Sequence, residues 1–460
     1  MSPLAARYLL AVLVVLAYAS LCAALYVRER RREREGNAAR NALLSADVSL
    51  PSIVVAFASQ TGYAEQLAWQ TAAALRAAGM QARLLSIGEL NQQMLSGIER
   101  ILFVVSTYGE GDPPDAASGF VSHVMSAAPD LSHLRFGMLA LGDTNYVNFC
   151  GFGREVEAWL KQQGAQAMFD RIDVDNSDPA ALHRWRGELE RLGGAVDDAH
   201  WAEGPFEDWR LDRRVLLNPG SAGHPIYHLE LSPSAGAMPG WEAGDLVEIT
   251  VPPDPGRPRE YSLASLPSDG ALHLLVRKEV HPDGSAGAAS GWLTEGAEIG
   301  GGVSLRLRPN RNFRLDANAE RPLILIGNGT GLAGLRSLLK ARVRMPAQLA
   351  KQRNWLIFGE RNAAHDLLYG GELDAWVAGG VIERLDRVFS RDQPERIYVQ
   401  DRLRAEAERL GAWVRDGAAV YVCGSLEGMA AGVDEVLVQV LGRDGVDKLR
   451  AEGRYRRDVY

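Results

Sequence analysis

At 460 residues the chain is long enough for about three domains of ordinary size. Its composition, 47% hydrophobic and 23% charged, excludes a disordered or fibrous chain, and a net charge of -8 argues against nucleic acid as a partner. The three cysteines, Cys22, Cys150 and Cys423, are widely spaced and form no CxxC pair, so they give neither a disulfide framework nor a zinc site.

Residues 8–27 carry no charge over a length that crosses a bilayer core of about 30 Å as a helix. Arg28, Arg30, Arg31, Arg32 and Arg34 follow at once, and basic residues on that side keep the chain beyond them in the cytoplasm. This predicts a single-pass anchor at 1–28 in the inner membrane and a charged stalk at 29–50; a signal peptide cleaved near Ala17 or Ala19 is the competing reading. From 51 to 195, IVVAF, ILFVV and FGMLAL alternate with helical segments such as 64–78, the pattern of a doubly wound parallel sheet. Periodicity lapses over 196–209, a linker. Between 210 and 315, RRVLL, PIYHLEL, DLVEITV, EYSLAS and ALHLLV are short and turn-punctuated, which predicts an antiparallel barrel. Alternation resumes over 316–460 in PLILIG, NWLIFG, GGVIERLDRVF and AAVYVCG, a second parallel sheet with helices. The expected class is α/β plus β-barrel behind an N-terminal transmembrane helix.

Ser59, Gln60, Thr61, Gly62, Tyr63 and Ala64 join the first strand to the first helix, where hydroxyls, backbone amides and the helix start hold phosphate. The loop lacks the lysine of GxxxxGK[ST], so a flavin monophosphate suits it better than a triphosphate. Serine and threonine serving only as helix caps would give the same local pattern. Two more loops leave the carboxyl ends of strands: Ser106, Thr107, Tyr108 and Gly109, then Leu141, Gly142, Asp143, Thr144, Asn145, Tyr146, Asn148, Phe149 and Cys150. Tyr108 and Tyr146 can stack on an isoalloxazine ring, and Gly109 allows close backbone approach. Together the three loops resemble the FMN domain of the NADPH-dependent diflavin reductases, of sulfite reductase flavoprotein or hemoprotein reductase type.

In the barrel region Arg259, Glu260, Tyr261 and Ser262 offer a cation, an aromatic face and a hydroxyl, with Arg259 and Tyr261 on one face of a strand. Gly287, Ala288, Ala289 and Ser290 open a short helix. Both segments resemble the paired FAD signatures of the ferredoxin-NADP reductase superfamily, and the resemblance adds Leu272, His273 and Leu274 to the FAD set. Gly329, Thr330 and Gly331 follow a strand and resemble that family's GxGTGxxP dinucleotide turn, with Asn328 and Gly334 where prolines are usual. Ser390, Arg391, Arg396, Tyr398 and Gln400 supply cations and hydroxyls suited to a 2'-phosphate, which favours NADPH over NADH; a solvated charged turn is the alternative. By resemblance Cys423 and Gly424 lie beside the nicotinamide, although a small buried thiol in the core fits the residue type as well. The resemblance also groups Ser262, Cys423 and Asp458 for hydride transfer, and has Tyr460 cover the FAD ring and gate it.

The resemblance implies FMN, FAD and NADPH, no metal, and electron flow from NADPH through FAD to FMN and on to a one-electron acceptor. That acceptor is a haem protein, a sulfite reductase haem subunit, or a membrane-associated ferric chelate or quinone. A non-catalytic flavin-binding redox sensor is the reading from a different class. The sequence departs from the family in two further places. Only about sixty residues separate the FMN region from Arg259, which leaves no room for the family's helical connecting domain, and Lys278 stands where an aromatic is expected.

Overall fold

The computed structural model describes residues 53–144, 146–195, 201, 204–345 and 353–460. The predicted anchor and stalk lie outside the described residues, and among those no helix is long and apolar enough to cross a membrane.

Apolar runs buried on both faces build the first sheet. In chain order it comprises β1 (Ile53–Ala58), α1 (Tyr63–Ala77), β2 (Ala82–Ser86), β3 (Arg100–Ser106), β4 (Arg135–Gly142), α2 (Gly151–Gln162), β5 (Gln166–Ala167), β6 (Ile172–Asp175) and α3 (Pro179–Arg191). All strands are parallel in the order β2-β1-β3-β4, with β5 and β6 both paired to β4. Phe103, Phe120 and Phe152 fill the layer on one side, and Val55, Leu102 and Trp185 the other. Asp178 accepts from the amides of Ala180 and Ala181, and Pro179 supplies a pre-set first turn, so α3 starts where the sequence caps it. The buried Trp185 indole donates to Thr71 at 3.0 Å and ties α3 to α1.

The second sheet is antiparallel, from β7 (Glu207–Leu216), β8 (Ile226–Pro233), β9 (Leu246–Val251), β10 (Asp254–Ser262), β11 (Leu272–Arg277) and β12 (Gly302–Arg308). Its order is β10-β9-β12-β7-β8-β11, and the two end strands are not paired among the described residues. The predicted barrel is therefore an open six-stranded sheet, curled around Trp209, Leu231, Val247 and Leu274. Because β7 already begins at Glu207, the linker expected to reach 209 stops short of it. Between β7 and β12 the described helical pieces are single turns, so no helical connecting domain interrupts this sheet.

The third sheet is parallel: β13 (Leu323–Asn328), α4 (Leu332–Val343), β14 (Asn354–Glu360), α5 (Gly370–Ala378), β15 (Arg384–Phe389), β16 (Ala419–Gly424) and β17 (Tyr455–Val459). Its order is β15-β14-β13-β16-β17. The run predicted at 379–389 is strand only from Arg384. Residues 455–459, for which no element is read from the sequence, form an edge strand whose register sets Asp458 beside Cys423.

Candidate hydride-transfer and flavin sites

Three strand ends meet where the second and third sheets touch. β10 brings Ser262, β16 brings Cys423 and β17 brings Asp458, all buried. Ser262 Oγ donates to Asp458 Oδ2 at 2.7 Å, and Cys423 Sγ approaches the same oxygen at 3.6 Å. Burial raises the Asp458 carboxyl above its ordinary range, against the opposing pull of these two donors. The Cys423 thiol is pushed up by burial and then by Asp458, so it stays a thiol. Gly334 belongs here: a Cβ would stand 3.2 Å from Cys423 Sγ and 3.1 Å from Phe313, so the position where the family uses proline is tight in this chain. Tyr460 follows directly, 53% exposed, with its hydroxyl donating to Thr330 at 2.9 Å.

The dinucleotide turn runs from β13 into α4. Gly329 has φ +57 and Gly331 leaves no space for a side chain, its Cβ position falling 2.0 Å from the Cys423 carbonyl oxygen. Asn328 has a structural task, since its Oδ1 accepts from the Ser425 amide at 2.9 Å and joins the β13 and β16 loops. Arg277, not singled out in the sequence, reaches over Gly329 from β11 and pairs with Glu360 at 3.2 Å. Beyond β15, Arg391 and Arg396 are exposed and form no ion pair among the described residues, a donor set that fits a 2'-phosphate. Tyr398 is 40% exposed beside them, whereas Ser390 is buried with its amide and hydroxyl on the Glu360 carbonyl, and Gln400 reaches the Gly428 carbonyl at 3.5 Å.

On the flavin face of β10, Arg259 is half-buried, pairs with Asp254 at 3.2 Å and shares its side of the strand with the partly buried Tyr261. Asp254 takes one of its donors and the Arg257 carbonyl another, at 2.7 Å, and the donors that remain fit a pyrophosphate. Glu260 lies opposite Glu248 on the other face. Ser290 Oγ accepts from the Glu279 amide, which holds the short Gly287, Ala288, Ala289 turn against the sheet. Leu272 and Leu274 are core residues, and His273 turns to Arg336 and His228.

The three loops predicted for FMN do converge at the carboxyl edge of the first sheet. Ser59 accepts from the Gly62 amide at 2.9 Å, Gly62 has φ +97, and no side chain caps the first amides of α1, which fits an anionic phosphate. Tyr146 is 37% exposed and free to present a ring face. Several predicted contacts have other work. Ser106 donates to the Ala58 carbonyl, Thr107 accepts from the Phe152 amide, and Thr144 donates to Asp175 through both amide and hydroxyl, so these three brace the loops. Ala64 and Leu141 are core, as is Cys150, whose thiol burial pushes up to about 12. Asn148 donates to the Glu110 carbonyl, Phe149 packs near Gly142, and Asn145 lies outside the described residues.

A flavodoxin family model matches residues 55–186, and an oxidoreductase NAD-binding domain model matches residues 325–435. The two matches lie in one chain, the flavodoxin match first and the NAD-binding match after it. The chain is similar to the sulfite reductase [NADPH] flavoprotein alpha-components of Salmonella typhimurium and Escherichia coli K12, each 28% identical over 89% of this chain and 90% of theirs, and to that of Citrobacter koseri, 29% identical over the same shares. Those alignments run over 544 to 545 positions, more than the 460 residues of this chain, so it lacks segments that these relatives carry. FMN belongs to the flavodoxin half of a diflavin chain, FAD and NADPH to the other.

Three FMN-loop residues point across to the other half of the chain. Gln60 donates to Asp115 and to the Arg457 carbonyl, the Tyr63 ring lies under the Arg308 guanidinium at 4.4 Å, and the Tyr108 hydroxyl donates to the Val459 carbonyl. Asn312 returns the contact, donating to the Ser59 and Gln60 carbonyls at 3.0 and 2.8 Å. Tyr108 is thus partly buried against the third sheet's core, and of the two predicted stacking tyrosines Tyr146 is the more exposed. Local motif reading had no signal for these partners, which lie up to 397 residues away in sequence.

Proposed function

We propose that the chain is an NADPH-dependent diflavin reductase that serves a one-electron acceptor such as a haem protein. The observation that carries this reading is the buried Ser262, Cys423 and Asp458 cluster at the joint between the FAD sheet and the dinucleotide sheet. When bound, the flavins supply the conversion from two electrons to one: hydride in from NADPH at FAD, single electrons out at FMN. The protein's part is positioning. Ser262 and Cys423 hold their protons toward Asp458 in a site closed to water, and Asp458 fixes both donors. Tyr460 stands at the entrance on Thr330 and moves aside for the nicotinamide. Arg391 and Arg396 supply the preference for a phosphorylated ribose.

The test is flavin extraction from purified protein followed by anaerobic NADPH titration watched by absorbance. Equimolar FMN and FAD, both bleached, support the proposal; FAD alone, or flavins that NADPH leaves oxidised, defeats it. The relatives' name makes a sulfite reductase haem subunit one acceptor to assay, beside cytochrome c, ferric chelates and quinones. The uncharged stretch at residues 8–27 with its trailing arginines supports placement on the inner membrane with the catalytic domains in the cytoplasm, checked by fractionation with and without that stretch.

A further inference from the structure

We propose that docking of the flavodoxin domain holds Asp458 and Tyr460 in place through β17, so that the FMN half of the molecule sets the geometry of the hydride-transfer group. The proposal rests on the diflavin reading. β17 is a five-residue edge strand paired, among the described residues, only to β16. An edge strand leaves backbone groups bare on one side. Tyr460 turns both of its backbone groups toward β16 and the loop after it, donating to the Gly424 carbonyl and accepting from the Leu426 amide, each at 2.9 Å. By the two-residue alternation Asp458 does the same, while Arg457 and Val459 present their carbonyls to the free edge.

The flavodoxin domain takes those two carbonyls. Gln60 Nε2 donates to the Arg457 oxygen at 3.2 Å and the Tyr108 hydroxyl donates to the Val459 oxygen. Between them sits Asp458, so the residue that organises Ser262 and Cys423 is bracketed by two contacts from the FMN loops. A buried ion pair locks the arrangement. The Arg457 guanidinium meets both oxygens of Asp115, at 2.8 Å through Nε and closer through a second nitrogen, with both side chains at most 15% exposed. Asp115 in turn exchanges two 3.0 Å hydrogen bonds with Gln60, which fixes the donor that reaches the strand. Removing one member of such a pair strands a buried charge and weakens everything registered on it.

The experiment compares the full chain, carrying both flavins, with Asp115→Asn. Two quantities are read: deuterium uptake of amides 455–460, and the first-turnover rate at which NADPH bleaches FAD. Asp115→Asn should keep its flavins, take up deuterium faster over those amides, and bleach FAD on the order of tenfold more slowly, the size expected from one lost charge-assisted hydrogen bond. An unchanged bleaching rate overturns the proposal, as does slower bleaching with unchanged uptake, since the effect would not then run through β17. If Asp115→Asn does not fold, Asp115→Glu keeps the charge, displaces it by one methylene, and is read in the same way with smaller changes. Wild-type protein that binds no FMN would defeat the diflavin reading instead, and the uptake comparison would still decide whether Asp115 holds the strand.

Discussion

Asp458 is the residue on which the proposed hydride site turns, because it is the common acceptor for a hydroxyl from the second sheet and a thiol from the third. Asp458→Asn should leave flavin content intact and slow first-turnover FAD bleaching by roughly 10- to 100-fold, the usual scale for a lost positioning contact. Burial raises the wild-type carboxyl, so the acid limb of the rate profile should lie above the ordinary carboxylate range and vanish in the variant. Arg391→Ala with Arg396→Ala should weaken NADP+ binding by about tenfold or more while leaving NADH nearly untouched, since each exposed guanidinium offers a charge-assisted bond only to the 2'-phosphate. Equal losses for both nucleotides would place these arginines elsewhere. The hydride group was legible only through resemblance: Ser262 and Asp458 stand 196 positions apart, and nothing in either local segment points to the other. Gln60 and Tyr63 were legible as loop residues but not as cross-domain contacts, for the same reason.

The strands β8 and β11 show where strand alternation takes a residue that the sequence places only by segment. The run ALHLLV does form a strand, yet strand alternation sends His273 to the dinucleotide side, where its ring meets His228 at 4.8 Å and accepts from Arg336 at 3.3 Å. His228 is held between the Tyr369 hydroxyl and Glu230, and Arg213 on β7, Lys340 on α4, Glu372 on α5 and Asp269 complete the charged surroundings. Burial first, then His228 and Arg336, lower His273 to about 4, and burial lowers His228 as well. The unfolded chain therefore binds more protons than the folded one between the ordinary value of 6.5 and about 4, and stability must fall with pH across that window. Thermal melts should drop on acidification through this range in wild type and drop less in His273→Gln; parallel curves would remove His273 from the account. No strand is read over 455–459 from the sequence. The residues of β17, RYRRDVY to the terminus, show little strand pattern because the outer edge is satisfied by another domain's side chains rather than by a neighbouring strand.

At the scale of the whole molecule the sequence already implied that no connecting domain orients the two halves, and the structure shows what replaces it. Trp201 is buried in the flavodoxin core, while the Gly204 carbonyl and the Phe206 ring are both held by Arg306 of the FAD sheet, at 3.4 and 4.5 Å. The tether is fastened at each end, so the halves meet through contacts: Arg457 with Asp115, Asn312 with the phosphate loop, and Arg257 with Asp175 at 3.5 Å. If these contacts set the geometry, tether length should matter little. Adding five Gly and Ser residues between Glu203 and Gly204 roughly doubles the chain from Trp201 to β7, and doubling a flexible tether costs only about 0.6 kcal/mol, less than a threefold shift between docked and undocked forms. NADPH-driven cytochrome c reduction should therefore change by less than about threefold in that variant, with first-turnover FAD bleaching unaltered. A loss well beyond tenfold would mean that the tether works as a rigid spacer, and that the ion pair and hydrogen bonds across the joint follow from its length instead of fixing the docked state themselves.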